Sequence, residues 1–214
     1  MAIRIKVCGI ATFQSASHAL KVGADFLGIN RYQGSPRCVS QSAARELMQN
    51  IPQGKRVVVD VAPSLDTLKE HLEEGFDYFQ LHFDYIDAQS LLPKWRRLIG
   101  KERLWLAPRL NKGDAFPSAL LEYADTLLLD ACDAEGYGGS GLLADWPLFR
   151  DLQDAHPEKV WILAGGLGPG NVKRAIAESG ARFIDVNSRV ETSPGVKDLS
   201  LLKTVFESVR SIDD

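Results

Sequence analysis

Two side chains in this sequence are suited to moving protons, provided the fold brings them together. Cys8 closes the apolar run IRIKVC and Asp130 closes TLLLD, so each stands where a buried segment gives way to a turn. A thiol opposite a carboxylic acid is a proton-transfer pair, because one group can take a proton while the other gives one. A buried cysteine standing alone is more often a small hydrophobe. An aspartate ending an apolar run is harder to dismiss, because once buried it must be paired or functional. His82 closes YFQLH and has Asp84 two residues on, so the two could be metal ligands. One histidine is thin support for a metal, and a hydrogen-bonded histidine is the better reading. Arg37, in the loop RYQGSPRCV, has the fork geometry to grip a carboxylate, although arginines are common in surface loops.

A second kind of chemistry is written between Val160 and Asp198. The run VWILA reads as a buried strand, Gly165 and Gly166 as a tight turn, and Gly168, Pro169 and Gly170 as a helix opening. Phe183 to Asn187 is a second strand followed by a polar turn at Ser188. Small residues at both strand ends expose backbone N–H groups, and a helix N-terminus adds partial positive charge, so the two turns together suit a phosphate dianion. Paired glycines also make plain turns. Their place at the end of a barrel-like chain favours the phosphate.

The elements that must position these residues alternate at an even pitch. Strand-like runs start at Ile3, Phe26, Arg56, Tyr78, Leu104, Thr126, Val160 and Phe183. Helical stretches fall between them: Thr12 to Val22 with Phe13, Ala16, Ala19 and Leu20 inward, one capped by Ser40, and one from Ser64 to Gly75. Others are Ala88 to Ile99, interrupted by Pro93, a short one from Pro117 to Tyr123, one from Trp146, and the last from Asp198. RVVVDV is a continuous β-branched run of the kind buried on both faces. Eight such units with tight connections predict a single-domain (β/α)8 barrel over residues 1–214, with function at the C-terminal ends of the strands. No GxGxxG follows the first strand, which argues against a dinucleotide fold.

Composition excludes several classes of partner. A chain of 214 residues, 45% hydrophobic and 25% charged, is long enough for one substantial core. Its formal net charge of −3 gives no broad basic surface for nucleic acid, and a small phosphorylated ligand is the expected partner. The start MAIRIKVCGI has no long apolar segment, so neither signal peptide nor membrane span is expected. Cys8, Cys38 and Cys132 are odd in number without metal-type spacing, which fits a reducing cytoplasm and no metal.

Seven stretches carry a family resemblance: KVCGIA at 6–11, SPRCVS at 35–40, QLH at 80–82, LLLDA at 127–131, YGGSG at 137–141, LAGGLGPGNV at 163–172 and DVNSRVETSPGVKD at 185–198. Together they resemble phosphoribosylanthranilate isomerase, in order from first strand to last helix. The resemblance implies an eight-stranded barrel of tryptophan biosynthesis, working without cofactor; a monomer or homodimer is expected. It would convert a phosphorylated aminoaldose carrying anthranilate into the aminoketose by an Amadori rearrangement. On this resemblance Cys8 is the general base and Asp130 the general acid that opens the furanose. Arg37 faces the anthranilate carboxylate and Asp185 lies near the sugar hydroxyls; His82, from its place at a strand end, is counted with the substrate-binding residues. Gly165, Gly166, Asn187 and Ser188 fall on the phosphate turns, and Gly136 to Gly141 looks like a loop that covers the substrate.

The departures from the family pattern are mostly polar. Asn30 and Arg31 replace apolar residues, Asp60 an aromatic one and Phe83 a glycine, which would bring polar groups into the pocket mouth. Arg189 stands where a glycine is usual, and is counted with the phosphate-binding residues, either contacting the anion or crowding the turn and pointing away. Alternatives are a divergent paralogue for another phosphorylated ligand, a non-catalytic phosphate-ligand binding barrel, and a metal-dependent epimerase with His82, Asp130 and Asp60 as ligands.

Overall fold

Parallel pairing of each strand with the next, and of the last with the first, closes the sheet into an eight-stranded barrel. The structure, a computed structural model, describes residues 2–111, 113–130 and 144–213. The loop at Gly136 to Gly141 and Cys132 lie outside the described residues. The strands are β1 (Arg4–Val7), β2 (Phe26–Asn30), β3 (Arg56–Val61), β4 (Tyr78–Phe83), β5 (Leu104–Pro108), β6 (Thr126–Leu129), β7 (Val160–Leu163) and β8 (Phe183–Val186). Closure is made by β8 on β1, with Arg4 opposite Phe183 and Val7 opposite Val186. The expected barrel is therefore the observed one. Among the described residues no helix is long and apolar enough to cross a membrane.

Local chemistry sets the helix ends. Thr12 caps α1 (Phe13–Val22) in a capping box with Ser15, and Gly23 ends it in the left-handed conformation. Ser40 and Ser64 cap α2 (Gln41–Met48) and α3 (Leu65–Glu74) through their hydroxyls. Each such cap contributes about 1 kcal/mol. Two further helices, α6 (Trp146–Ala155) and α7 (Val172–Ser179), flank β7, and α8 (Leu199–Asp213) closes the outer layer with Leu202, Val205, Phe206 and Val209 buried.

The two-residue strand period divides the core. Ile5 and Val7 face the helices, whereas Lys6 and Cys8 face the barrel axis. At the N-terminal end of the axis Val57, Trp105, Leu128, Ile162 and Phe183 pack with Phe26 and Tyr78. Phe26 meets Trp105 edge-on at 5.1 Å and Tyr78 at 5.4 Å, so the barrel floor is an aromatic plug. The polar side chains of the cavity lie above it, toward the C-terminal strand ends.

Four details differ from the sequence-based expectation. Phe13, expected inward, is 58% exposed. It is the first residue of α1, and helical side chains lean toward the N-terminus, so it overhangs the strand end instead of covering the sheet. The stretch Ala88 to Ile99 splits into α4 (Tyr85–Ala88) and α5 (Leu92–Ile99), with Pro93 in the opening turn of α5. Proline lacks the N–H and clashes with a preceding helical turn, so it starts a helix and does not continue one. Gly168 to Gly170 form a turn ahead of α7: Asn171 Oδ1 accepts from the Gly168 N–H at 2.9 Å, and its Nδ2 donates to the Gly166 carbonyl at 2.8 Å. After β8 the polar turn is a short 3-10 helix (Ser188–Val190) followed by a hairpin, β9 (Glu191–Ser193) and β10 (Val196–Lys197).

Candidate active site

A cavity of about 390 Å³ opens at the C-terminal ends of the barrel strands, and Cys8, Asn30, Arg37, His82, Asp130, Gly165, Gly166, Asp185, Asn187 and Ser188 line it. Residues from β2, β4 and β8 and from the turns after β1, β2, β6, β7 and β8 therefore converge on one space. Gly165 and Gly166 have φ of 85° and 59°. Two successive left-handed residues fit cheaply only as glycines, and they leave backbone without side-chain cover at the wall.

Beneath Cys8 lies a buried charge pair that sequence reading missed. Lys6 Nζ donates to Asp185 Oδ2 at 2.7 Å, with the lysine side chain 0% exposed. A Cβ on Gly28 would sit 3.0 Å from Lys6 Nζ and 3.1 Å from Cys8 Sγ, so a glycine in β2 makes room for both. Burial alone would lower the ammonium's pKa, yet Asp185 and then Cys8 hold it above the ordinary lysine value. Burial pushes the Cys8 thiol up, with the Lys6 charge pulling the other way. Asp185 Oδ1 is buried without a hydrogen-bond partner among the described residues, leaving an acceptor for a ligand hydroxyl. Parity was the missed signal: if Cys8 faces the axis, so must Lys6.

His82 meets Gln80, 2.9 Å from Nε2 to the amide nitrogen. Burial, and then the Lys6 charge, lower its pKa from 6.5 to about 4. The imidazole is neutral at physiological pH, and Nε2 accepts from the Gln80 amide. An NMR titration should show the His82 ring resonances unchanged until pH falls well below 6; a midpoint near 6.5 would contradict this geometry. For a histidine depressed in this way, stability is full above the unfolded-chain value and is lost as pH falls toward 4, by at most about 3 kcal/mol.

Arg37 is gripped from outside the cavity. Its Nε lies 3.0 Å and its Nη2 2.8 Å from Glu191 Oε2, and Lys197 Nζ lies 2.7 Å from Glu191 Oε1. Lys197 also donates to Asn187 Oδ1 at 2.9 Å. Neither Glu191 nor Lys197 was singled out from sequence, since both belong to the unexpected hairpin. Arg109, which follows β5, is a further cation in the lining.

Three of the four departures at Asn30, Arg31, Asp60 and Phe83 lie outside the mouth. Asp60 points to the helix layer, where Oδ2 meets His71 Nε2 at 2.9 Å, while its neighbours Val59 and Val61 line the cavity. Arg31 donates to the Val39 carbonyl at 2.6 Å and to Glu74 at 3.2 Å, and Phe83 is buried against Trp95. Only Asn30 of the four lines the pocket, and its Oδ1 takes the Tyr32 N–H at 2.9 Å. Asp60 thus cannot join His82 and Asp130 around one ion, and among the described residues no group of three or more metal-type side chains is assembled.

The Arg189 side chain, counted with the phosphate site, is exposed and outside the lining. A 3-10 turn has three residues per turn, so when Ser188 faces the cavity the next side chain turns away. Its stem covers Gly168: a Cβ there would lie 2.6 Å from Arg189 Cβ. Gly168→Ala should therefore cost about 1–3 kcal/mol by overpacking, and adding Arg189→Gly should recover much of it in urea unfolding. An additive double variant would refute the contact.

Known proteins share this fold over nearly the whole chain. The family profile described as PRAI, N-(5'phosphoribosyl)anthranilate (PRA) isomerase, matches residues 5–208. The N-(5'-phosphoribosyl)anthranilate isomerase of Zymomonas mobilis subsp. mobilis is 33% identical over 214 residues, spanning 98% of this chain and 99% of that one. The crystal structure of phosphoribosyl anthranilate isomerase from Thermus thermophilus aligns with a TM-score of 0.81 at 28% identity, over 98% of this chain and 100% of the other. A phosphoribosyl anthranilate isomerase in complex with reduced 1-(o-carboxyphenylamino)-1-deoxyribulose 5-phosphate aligns with a TM-score of 0.75 at 25% identity, over 98% and 99%.

Proposed function

This chain belongs to the N-(5'-phosphoribosyl)anthranilate isomerase family, and from that membership we propose how its own residues carry out the reaction. Its activity is the isomerisation of phosphoribosylanthranilate in tryptophan biosynthesis. The substrate phosphate sits against the backbone of Gly165, Gly166 and Ser188, with Asn187 beside it. Asp130 gives its proton to the ring oxygen as the bond from that oxygen to C1 breaks, leaving an iminium between C1 and the anthranilate nitrogen. Cys8, as thiolate, removes the proton from C2, and the electron pair neutralises the iminium to an enaminol. A proton returning to C1 as the C2 hydroxyl loses its own completes the aminoketose. Asp185, held by Lys6, offers its second oxygen to a sugar hydroxyl, and Arg37 receives the anthranilate carboxylate.

The observation that carries this reading is the meeting of Cys8, Asp130 and the two turns in one cavity. Distributing the proton transfers over two groups suits a site where an acid must be protonated while a base is not. Complementation tests it: the gene should restore growth of a tryptophan auxotroph lacking this isomerase, and genes carrying Cys8→Ser or Asp130→Asn should not. Growth with either variant gene would overturn the residue assignment while leaving the family activity in place.

A further inference from the structure

We propose that Glu191, braced by Lys197, is a positioning residue that sets which edge of Arg37 meets the substrate, and so makes the site selective for an aryl amine bearing an ortho carboxylate. The inference rests on the reading of Arg37 as the carboxylate's partner. A guanidinium has five N–H donors arranged along two usable edges. Glu191 occupies one edge, taking Nε at 3.0 Å and Nη2 at 2.8 Å, while Arg37 itself lines the cavity. The edge made by Nη1 and Nη2 is the one left for a second carboxylate. Without Glu191 the long side chain could turn either edge inward, and its ordering would have to come from ligand binding.

Glu191 is itself fixed. Lys197 Nζ reaches Oε1 at 2.7 Å, and the Gly195 N–H reaches the same oxygen at 3.3 Å. Although burial would raise its pKa, Arg37 and Lys197 hold the carboxyl below the ordinary range, so it stays charged. Two cations around one carboxylate leave a formal charge of about +1, suited to an incoming anion. The same lysine bonds Asn187 Oδ1 at 2.9 Å and its carbonyl at 3.2 Å, tying the carboxylate arm to the phosphate turn. Both halves pack on Gly9, where a Cβ would lie 2.7 Å from Asn187 Oδ1 and 3.0 Å from Arg37 Cδ. Gly9 follows Cys8, so this network is built directly against the thiol's own turn.

Calorimetric binding of two stable probes tests the inference: reduced 1-(o-carboxyphenylamino)-1-deoxyribulose 5-phosphate, and its counterpart without the ortho carboxylate. Arg37→Ala should weaken the first about a hundredfold and the second little, as loss of a charge-assisted pair predicts. Glu191→Ala should weaken the first about tenfold and the second little, and should add nothing in an Arg37→Ala background, because the two act as one unit. Equal weakening of both probes by Arg37→Ala would refute the Arg37 reading. A selective Arg37→Ala with a Glu191→Ala that is neutral, unselective or additive would refute the positioning role alone. Should the alanine variant not fold, as judged by near-UV circular dichroism, Glu191→Gln, which keeps the shape but not the charge, is held to the same outcomes.

Discussion

Cys8→Ser and Asp130→Asn should each lower kcat by about 10²–10⁴-fold, the range by which a positioned acid or base accelerates proton transfer. Neither should change the urea midpoint much, because both substitutions keep side-chain size. Serine fills the thiol's place but is far too weak an acid to exist as the needed anion, and the asparagine amide is far too weak an acid to transfer a proton to a ring oxygen. Wild-type-like turnover in either variant would remove the mechanism. The pH dependence carries a sign as well. Burial holds the Cys8 thiol above the usual cysteine range, and a base works only when deprotonated. In the wild type kcat/KM should therefore rise with pH through that raised value, and this limb should vanish in Cys8→Ser. A limb that falls across the same range would assign the titration to another group.

Lys6→Met should cost about 3–5 kcal/mol of stability at neutral pH, because it strands the buried Asp185 carboxylate without its partner. The loss should shrink in acid. Burial already pushes Asp185 above the ordinary carboxylate pKa, and without the ammonium nothing as close opposes that push. The variant's folded state then binds a proton that its unfolded state releases above the ordinary carboxylate value, so lowering the pH restores stability. In the wild type the raised Lys6 contributes stability that is complete below the ordinary lysine pKa and is lost only as pH climbs past the folded value. Pairing Lys6→Met with Asp185→Asn should recover most of the deficit, since no buried charge remains. Urea unfolding at pH 7 and pH 5 reads both variants, and a Lys6→Met loss under about 1 kcal/mol would contradict the buried pair.

Much of this site was legible because strand ends are legible. Apolar runs closing on Cys8, Asn30, His82, Asp130 and Asn187 marked the cavity rim, and all of these residues line it. The Ser40, Ser64 and Gly75 caps lay where side-chain chemistry required them. Parity was harder. In β3, Arg56–Val61, valines face both ways because both faces of a parallel barrel strand are buried, so no alternation told which way Asp60 pointed. It was placed in the mouth, and it meets His71 behind the sheet.

Residue order alone thus specified eight repeating units, their strand tips and the chemical types gathered there, because periodicity, caps and turns are properties of neighbouring residues. Which side chains grip one another across the barrel was decided only by closure. Lys6 and Asp185 are 179 positions apart and Arg37 and Glu191 154 apart, and neither pair shares a local pattern. They meet because β8 completes the sheet beside β1, fixing a register no short stretch encodes, and because the hairpin that follows β8 brings Glu191 against the loop after β2.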